Sequence, residues 1–177
     1  SWLFRLMVLA RDAAPAMFQS ELARTPDVLE GTVRTVAQLG SLELRYGEGM
    51  KGLRRLYRLL RMNMDEPEAH SAYLVNFLVG SLPEIEEAPA RIAAGCYFTF
   101  VESFGLDPEG MEDLPKRGGY LQAGAPEAAP FLGAAVGDEG EFPLSSGGFA
   151  MVRVVAIGSV FHRLVGESQE RAGSLAG

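Results

Sequence analysis

Residues 50–64 constrain the fold most, because a single helical period accounts for both their apolar and their basic side chains. At about 100° per residue, the apolar side chains fall on one stripe and the cations fall on the opposite side. The stripe consists of Leu53, Leu56, Tyr57, Leu60 and Met64. This pattern predicts an amphipathic helix that packs its apolar side against a core.

The opposite face of this helix carries five cations in a chain whose formal net charge is −7. They are Lys51, Arg54, Arg55, Arg58 and Arg61, and we take them as the candidate partner-binding residues. A basic face of this kind can bind an acidic protein surface, a phosphate-bearing ligand or an anionic lipid. The alternative is a solvated face balanced by the chain's own acidic residues, and this is the more common arrangement.

The acidic residues are concentrated in the middle of the chain. Residues 83–148 hold three basic and twelve acidic side chains, a net charge of −9, whereas residues 1–82 hold ten basic and nine acidic side chains. Contact with nucleic-acid phosphates requires a broad basic surface. The charge distribution therefore argues against nucleic-acid binding as the main activity.

Three further segments predict helices, and residues 1–19 form an apolar segment that also favours a helix, interrupted at Pro15. Thr25 fits the N-cap of a helix that ends at Gly40. Residues 66–80 follow a capping-box pattern and are apolar all round the axis, which is typical of a helix buried on most sides, either in a core or against another subunit. The length of residues 88–104 favours a helix, although their aromatic run also has strand propensity.

Residues 105–148 have a different composition, with ten glycines and five prolines. Structureless segments of this length are uncommon inside compact domains. We therefore interpret the segment as an ordered irregular arm that packs on a partner, or as a mobile lid. After it, the β-branched residues favour a strand at 149–160, whereas the uninterrupted length of 149–165 favours a helix.

These elements predict a mainly α fold of four or five helices around one core, with the small β element near the C-terminus as an option. The length of 177 residues suits a single domain, which we place at residues 1–166, followed by a flexible tail at 167–177. Cys96 is the single cysteine, so an internal disulfide is excluded and a reducing compartment such as the cytoplasm is favoured. No secretory signal pattern is recognised, and earlier removal of a targeting segment stays open.

Several residue types suggest chemistry, but each has a simpler structural interpretation. His70 follows Glu66 by four residues and shares its helix face, a spacing that metal sites use, but a surface histidine is the favoured interpretation. Cys96 has uncharged neighbours, which favour a buried structural cysteine over a nucleophile. The second histidine, His162, is distant in sequence.

Four carboxylates could serve acid–base chemistry, but no spacing pairs them, so a solvated acidic turn is favoured. They are Glu84, Glu86, Glu87 and Glu102. Residues 145–148 form a glycine-rich loop without the lysine of a phosphate-binding loop. The glycine motifs of dinucleotide-binding proteins and the nucleophile motif of hydrolases are also absent from the sequence. We therefore assign no catalytic residue, no metal ligand and no cofactor, and the sequence leans away from an enzyme.

Two functional hypotheses remain. The first is a non-catalytic interaction or accessory subunit that uses its apolar helices and its basic helix face to bind a protein partner or a second copy. The second is a small-molecule sensor or regulatory domain, in which an apolar ligand occupies an aromatic-lined pocket under the glycine-rich segment. A role inside a membrane complex is not favoured, because the apolar residues 149–161 are too few to span a bilayer.

Overall fold

The computed structural model describes residues 15–80, 82–85, 87–102, 121–122, 124–143 and 147–175. The chain divides into two compact units, the first formed by residues 1–85 together with 164–177, and the second by residues 86–163. Each unit has a hydrophobic core of its own. The assignment of residues 1–166 to a single domain stays a prediction.

The first unit is helical in its described residues. Helices α1 (Pro15–Ala23), α2 (Val33–Tyr46), α3 (Gly49–Met62) and α4 (Pro67–Val79) follow in chain order. The last helix, α5 (Val160–Leu175), belongs to this unit from Leu164 onwards. The N-terminal apolar segment is described only from Pro15, which begins α1 instead of interrupting a helix.

The structure confirms the amphipathic helix predicted at residues 50–64. Helix α3 buries Leu53, Leu56 and Leu60 almost completely, as the stripe requires. Burial of leucine side chains stabilises the fold by roughly 1.5–3 kcal/mol each. Helix α3 is therefore a central element of the hydrophobic core of the first unit.

Helix α2 begins and ends later than the prediction of residues 25–40. Its N-cap is Thr32, whose hydroxyl accepts a hydrogen bond from the Thr35 amide at 3.2 Å. Thr25 is buried before the helix and lies against Glu43 instead. Gly40 is inside the helix, and residues 42–46 continue it.

The close packing of α2 against α3 explains why each helix has a glycine in its interior, Gly40 in α2 and Gly52 in α3. A Cβ atom on Gly52 would lie 2.6 Å from the Gly40 carbonyl oxygen, and one on Gly40 would lie 2.8 Å from Leu56 Cγ. Only a residue without a side chain allows the two helix backbones to approach this closely. The sequence alone presented Gly40 as a helix end, because glycine is most often a terminator.

The second unit is a four-stranded antiparallel sheet of strand order β2-β1-β4-β3. The strands are β1 (Cys96–Glu102), β2 (Leu121–Gln122), β3 (Glu139–Pro143) and β4 (Phe149–Ser159), and a 3₁₀ helix spans Pro126–Phe131. One face packs on a core formed by Phe98, Phe100, Phe131, Val152 and Val154, among other residues.

The helix predicted at residues 88–104 is wrong in its C-terminal part, where β1 runs from Cys96 to Glu102. The alternate residues Cys96, Phe98 and Phe100 enter the aromatic core, and β1 pairs with β4 along its whole length. Cross-strand aromatic and β-branched pairs stabilise this arrangement. The strand propensity of the aromatic run therefore determines the structure of residues 96–102, and the length of the apolar segment, which favoured a helix, does not.

Residues 149–165 contain both of the predicted elements in succession. The β-branched part pairs as β4 up to Ser159, whose hydroxyl then accepts a hydrogen bond from the Phe161 amide at 3.2 Å. Helix α5 follows and continues to Leu175, through residues that we expected to form a flexible tail. The fold is therefore mixed, with a larger β component than the mainly α prediction allowed.

The glycine- and proline-rich segment is ordered where the structure describes it. Its described part contributes β2, the 3₁₀ helix and β3. Residues 105–120, to which the arm or lid prediction also applies, lie outside the described residues. Across the described helices, none combines the length and the apolar character that crossing a membrane would require.

Candidate partner-binding surface

Lys51 uses its ammonium group within the first unit. Its Nζ donates to the carbonyl oxygens of Thr25 at 2.5 Å, Ala23 at 3.1 Å and Leu22 at 3.4 Å. Leu22 and Ala23 belong to the last turn of α1 and Thr25 follows it, so the ammonium lies at the helix C-terminus, where the helix dipole favours a positive charge. Lys51 therefore caps α1 and holds the backbone that leaves it.

Arg55 forms a buried, bidentate ion pair with Glu43 of α2. Nε donates to Oε2 at 2.7 Å and Nη2 donates to Oε1 at 2.8 Å. The guanidinium also donates to the carbonyls of Pro26 at 2.7 Å and Asp27 at 3.3 Å. Both side chains are almost fully buried, at 3% and 0% exposure. This arrangement suits a buried charge pair, since every charged group has geometrically fixed partners.

Thr25 completes this buried network. Its hydroxyl lies 2.6 Å from Glu43 Oε1 and 2.7 Å from the Leu22 carbonyl. The hydroxyl thus supplies one more polar contact to the buried carboxylate. The segment between α1 and α2 is consequently held by side chains from both α2 and α3.

The remaining three candidate cations lie at the surface of the same helix. Arg54 pairs with Glu48 at 3.4 Å, and Arg61 pairs with Glu167 at 3.0 Å. Arg58 makes a long bond of 3.5 Å to the Asp27 carbonyl. Exposed pairs of this kind contribute only about 0–1 kcal/mol each, so a partner's carboxylate could replace them. Partner binding by the basic face stays a prediction, and these three residues are the ones available for it.

Helix α4 presents a second and more exposed surface. Ala69, Tyr73 and Phe77 form its buried side. On the opposite side Val75, Leu78 and Val79 are 57%, 61% and 82% exposed. Within this chain only one side of the apolar wheel is buried, so the predicted burial in a core applies to that side alone. Burial of the other side against another subunit stays a prediction.

A groove of about 310 Å³ lies between α2 and α4 beside this stripe. Its lining combines apolar side chains with one cation and two small polar groups: Ser41, Leu44, Arg45, Val75, Asn76, Val79 and Gly80. The two polar groups already donate within their own helices, Ser41 Oγ to Ala37 O and Asn76 Nδ2 to Ala72 O. Arg45 is the cation in this lining.

Arg45 has a ring contact and no oxygen partner among the described residues. Its guanidinium carbon lies 5.7 Å from the centroid of the Tyr46 ring. That ring is in turn packed edge-on against Phe18 at 5.4 Å. Arg34 lies eleven positions earlier on the same exposed face of α2, because eleven residues are close to three turns.

Sequence reasoning missed this groove because it placed the end of the helix at Gly40. With that boundary, Arg45 falls outside any helix and shares no face with Arg34. The signal that could have found it is the spacing of the polar residues Arg34, Gln38, Ser41 and Arg45, which places them on one side of a longer helix.

His70 is buried, whereas we predicted a surface histidine. Its Nε2 lies 2.7 Å from the Met64 carbonyl, which can only accept, so Nε2 carries the proton. Nδ1 forms a hydrogen bond of 2.7 Å with the Ser168 hydroxyl. Both ring nitrogens are used within the chain, and the part that the structure describes holds no group of three residues able to bind a metal ion.

The other chemical candidates are not brought together. Cys96 is buried in the core of the second unit, in the environment expected for a structural cysteine. Glu84 and Glu87 are exposed, and Glu102 is half-buried at the end of β1. Glu86 and residues 145–146 lie outside the described residues.

Several phenylalanine side chains pack together in the core of the second unit. Phe100 contacts Phe142 with ring centroids 4.8 Å apart, and Phe98 contacts Phe131 at 5.3 Å. These aromatic rings thus contact each other directly. The groove of the first unit is lined by three aliphatic side chains, three polar or charged side chains and a glycine, unlike the aromatic-lined pocket of the sensor hypothesis.

Comparisons with known proteins assign no family. No protein-family model matches the chain, and no curated protein matches it. Among solved structures, a prokaryotic transcription elongation factor GreA/GreB from Nitrosomonas europaea is 23% identical over 60% of this chain and 93% of the other. The TM-score is 0.28, which is too low to indicate a shared fold or function.

Proposed function

We propose that this chain is a non-catalytic interaction subunit that binds a protein partner at the groove between α2 and α4. The observation that carries the proposal is the exposed apolar stripe of Val75, Leu78 and Val79 on α4. Contiguous apolar surface on a folded chain marks an interaction site more often than isolated apolar residues do. The stripe adjoins a groove, which is the arrangement that receives an amphipathic partner segment.

The shape of this surface favours a macromolecular ligand over a small molecule. The groove volume of about 310 Å³ is at the lower limit for small-molecule pockets. Its apolar lining also continues outside the groove to Leu78, so a small ligand would leave much of the stripe exposed. On this proposal, Arg54, Arg58 and Arg61 of α3 supply peripheral contacts to acidic residues of the partner.

Photocrosslinking tests the proposal by capturing the partner covalently, so that the partner is identified in the same experiment. A benzophenone amino acid is placed at Val79 in the full chain, expressed in its native cells, and the adducts are sized and identified by mass spectrometry. The matched control carries the same group at Met62, which is equally exposed but lies outside the groove lining. We expect a discrete protein adduct from position 79 and none from position 62.

Two further variants establish that such an adduct reflects binding. Val75→Asp should abolish the adduct from position 79, because a charge in the groove opposes apolar docking. Val28→Asp, at an exposed position elsewhere, should leave it unchanged. The absence of any protein adduct at Val79, or equal adducts at Val79 and Met62, would contradict the proposal.

A further inference from the structure

We infer that the groove binds an amphipathic helix that carries carboxylates along the edge facing α2. This inference rests on the proposed function and specifies the chemistry of the partner. It follows from two adjoining features of the first unit, the apolar stripe on α4 and the pair of arginines on α2.

The apolar side of the ligand is set by the spacing within α4. Val75 and Val79 are four residues apart, so their side chains lie one above the other along the groove. A helix that packs along this row presents apolar residues at i, i+3, i+4 and i+7. The groove of about 310 Å³ is large enough for about two leucine-sized side chains of such a helix.

The charge of the ligand follows from the cations that have no anionic partner within the described part of the first unit. Arg34 and Arg45 have no hydrogen bond or ion pair to an oxygen atom among the described residues of the first unit. Each of the other basic side chains described there bonds an oxygen: Arg24, Lys51, Arg54, Arg55, Arg58, Arg61 and Arg171. Arg45 lines the groove, and Arg34 lies on the same face of α2 about three turns earlier, outside the lining.

The geometry of α2 sets the spacing of the expected carboxylates. Arg34 and Arg45 are separated by eleven residues, or about 16 Å along the helix at 1.5 Å per residue. A partner helix parallel to α2 would need carboxylates about three turns apart to reach both. The one beside Arg45 matters more, because Arg45 also lines the groove.

A second copy of the chain is a weaker fit to the same surface. In a two-fold dimer each patch contacts its own equivalent, so the arginine-bordered groove would face another arginine-bordered groove. Like charges at an interface oppose association. A separate acidic helix avoids this repulsion.

A display selection tests the inference with peptides of random sequence. A library of about 18-residue peptides with helical apolar spacing and random flanking positions is selected on the full chain. We expect enrichment of Asp or Glu at the positions that flank the apolar residues. The selected peptides should bind Arg45→Glu at least about tenfold more weakly, and selection on Arg45→Glu should enrich Lys or Arg at the same positions.

The controls separate the charge inference from the proposed function. Arg24→Glu makes the same charge change at an exposed arginine outside the groove lining and should leave binding unchanged, whereas Val79→Asp should abolish it. Peptides without acidic enrichment that bind Arg45→Glu and the unaltered chain equally, but fail on Val79→Asp, overturn the charge inference and leave the groove proposal standing. Peptides that bind Val79→Asp normally, no enriched peptide, or a photocrosslinked adduct that proves to be a second copy, also overturn it.

Discussion

At the residue scale, Arg55 shows how one side chain can serve an interior role that its sequence context conceals. It lies between Arg54 and Arg58 on a helix face that looks uniformly basic. In the fold it is buried against Glu43 and binds two backbone carbonyls. Two arginines at adjacent positions of one helix, Arg54 and Arg55, therefore have different roles, one at the surface and one in the interior.

Removal of the Arg55 guanidinium should destabilise the chain strongly. Arg55→Met would leave the Glu43 carboxylate buried without its counter-charge, at a cost of about 3–5 kcal/mol in the free energy of unfolding. Arg54→Met, which breaks only an exposed pair, should cost about 0–1 kcal/mol. Urea unfolding followed by circular dichroism measures both. Similar losses for the two variants would show that the buried pair is not a structural element.

Tyr73 should make the stability of the chain sensitive to alkaline pH. Burial raises its pKa above the ordinary value of 10, with a smaller contribution from Tyr57. Because the folded state holds the phenolic proton more tightly than the unfolded state does, the stabilisation is complete below pH 10 and is lost as the pH rises further.

Comparison with Tyr73→Phe isolates this effect. Above pH 10 the unaltered chain should lose about 1.4 kcal/mol of stability per pH unit more than Tyr73→Phe does. Denaturant titrations between pH 8 and about pH 11 measure the slopes, and parallel curves for the chain and Tyr73→Phe would refute this prediction.

At the element scale, the contact between α2 and α3 depends on two glycines, and α5 offers a matched contrast. A Cβ atom on Gly52 would lie 2.6 Å from backbone atoms of α2, whereas a Cβ atom on Gly166 in α5 would meet nothing within 4 Å. The intrinsic preference of a helix for alanine is therefore opposed by packing at the first site and unopposed at the second.

Alanine at these two positions should have effects of opposite sign. Gly52→Ala should destabilise the chain by about 1–3 kcal/mol, since the helix backbones must separate to admit the methyl group. Gly166→Ala should stabilise it by about 0.5–1 kcal/mol through the lower entropy of its unfolded state. Thermal unfolding of both variants measures the signs, and a stabilising Gly52→Ala would mean that α2 and α3 are not in close contact.

The predictable elements were those with a single strong period. Helix α3 was predictable because its leucines and arginines obey one helical period. Strand β1 was not, because its apolar run fits both a helix and a strand until β4 pairs with it. Helix α2 was misplaced because Thr25 and Thr32 are both acceptable N-caps, and only the tertiary contact of Thr25 with Glu43 distinguishes them. The groove depended on that boundary, so the sequence alone could not indicate it.

At the scale of the whole molecule, the distribution of charge differs from what the sequence suggests. Most of the described cations of the first unit are engaged with oxygen atoms of the same unit, while the chain as a whole carries −7. An outside polyanion therefore competes with bonds that already exist. The basic helix is a poor indicator of polyanion binding in this fold.

Chromatography on immobilised heparin measures whether a polyanion can displace the internal bonds of these cations. The chain should pass through the column at physiological salt, because its net charge is negative and its basic face is internally paired. A variant with Glu48→Gln and Glu167→Gln, which frees Arg54 and Arg61, should be retained longer. Strong retention of the unaltered chain would show that the basic face is open to polyanions.

The hydrogen bonds of Lys51 to the segment after α1 also determine how readily a protease cleaves this segment. The Arg24 side chain is exposed and followed by a bond that trypsin can cleave, but cleavage requires the backbone around it to leave its native conformation. The ammonium of Lys51 holds the carbonyls of Ala23 and Thr25 on both sides of that bond. A well-exposed arginine should thus be resistant in the native chain, and Lys51→Met should convert it into an early cleavage site. Arg24 would then report local opening of the segment, which is invisible to measurements of global unfolding.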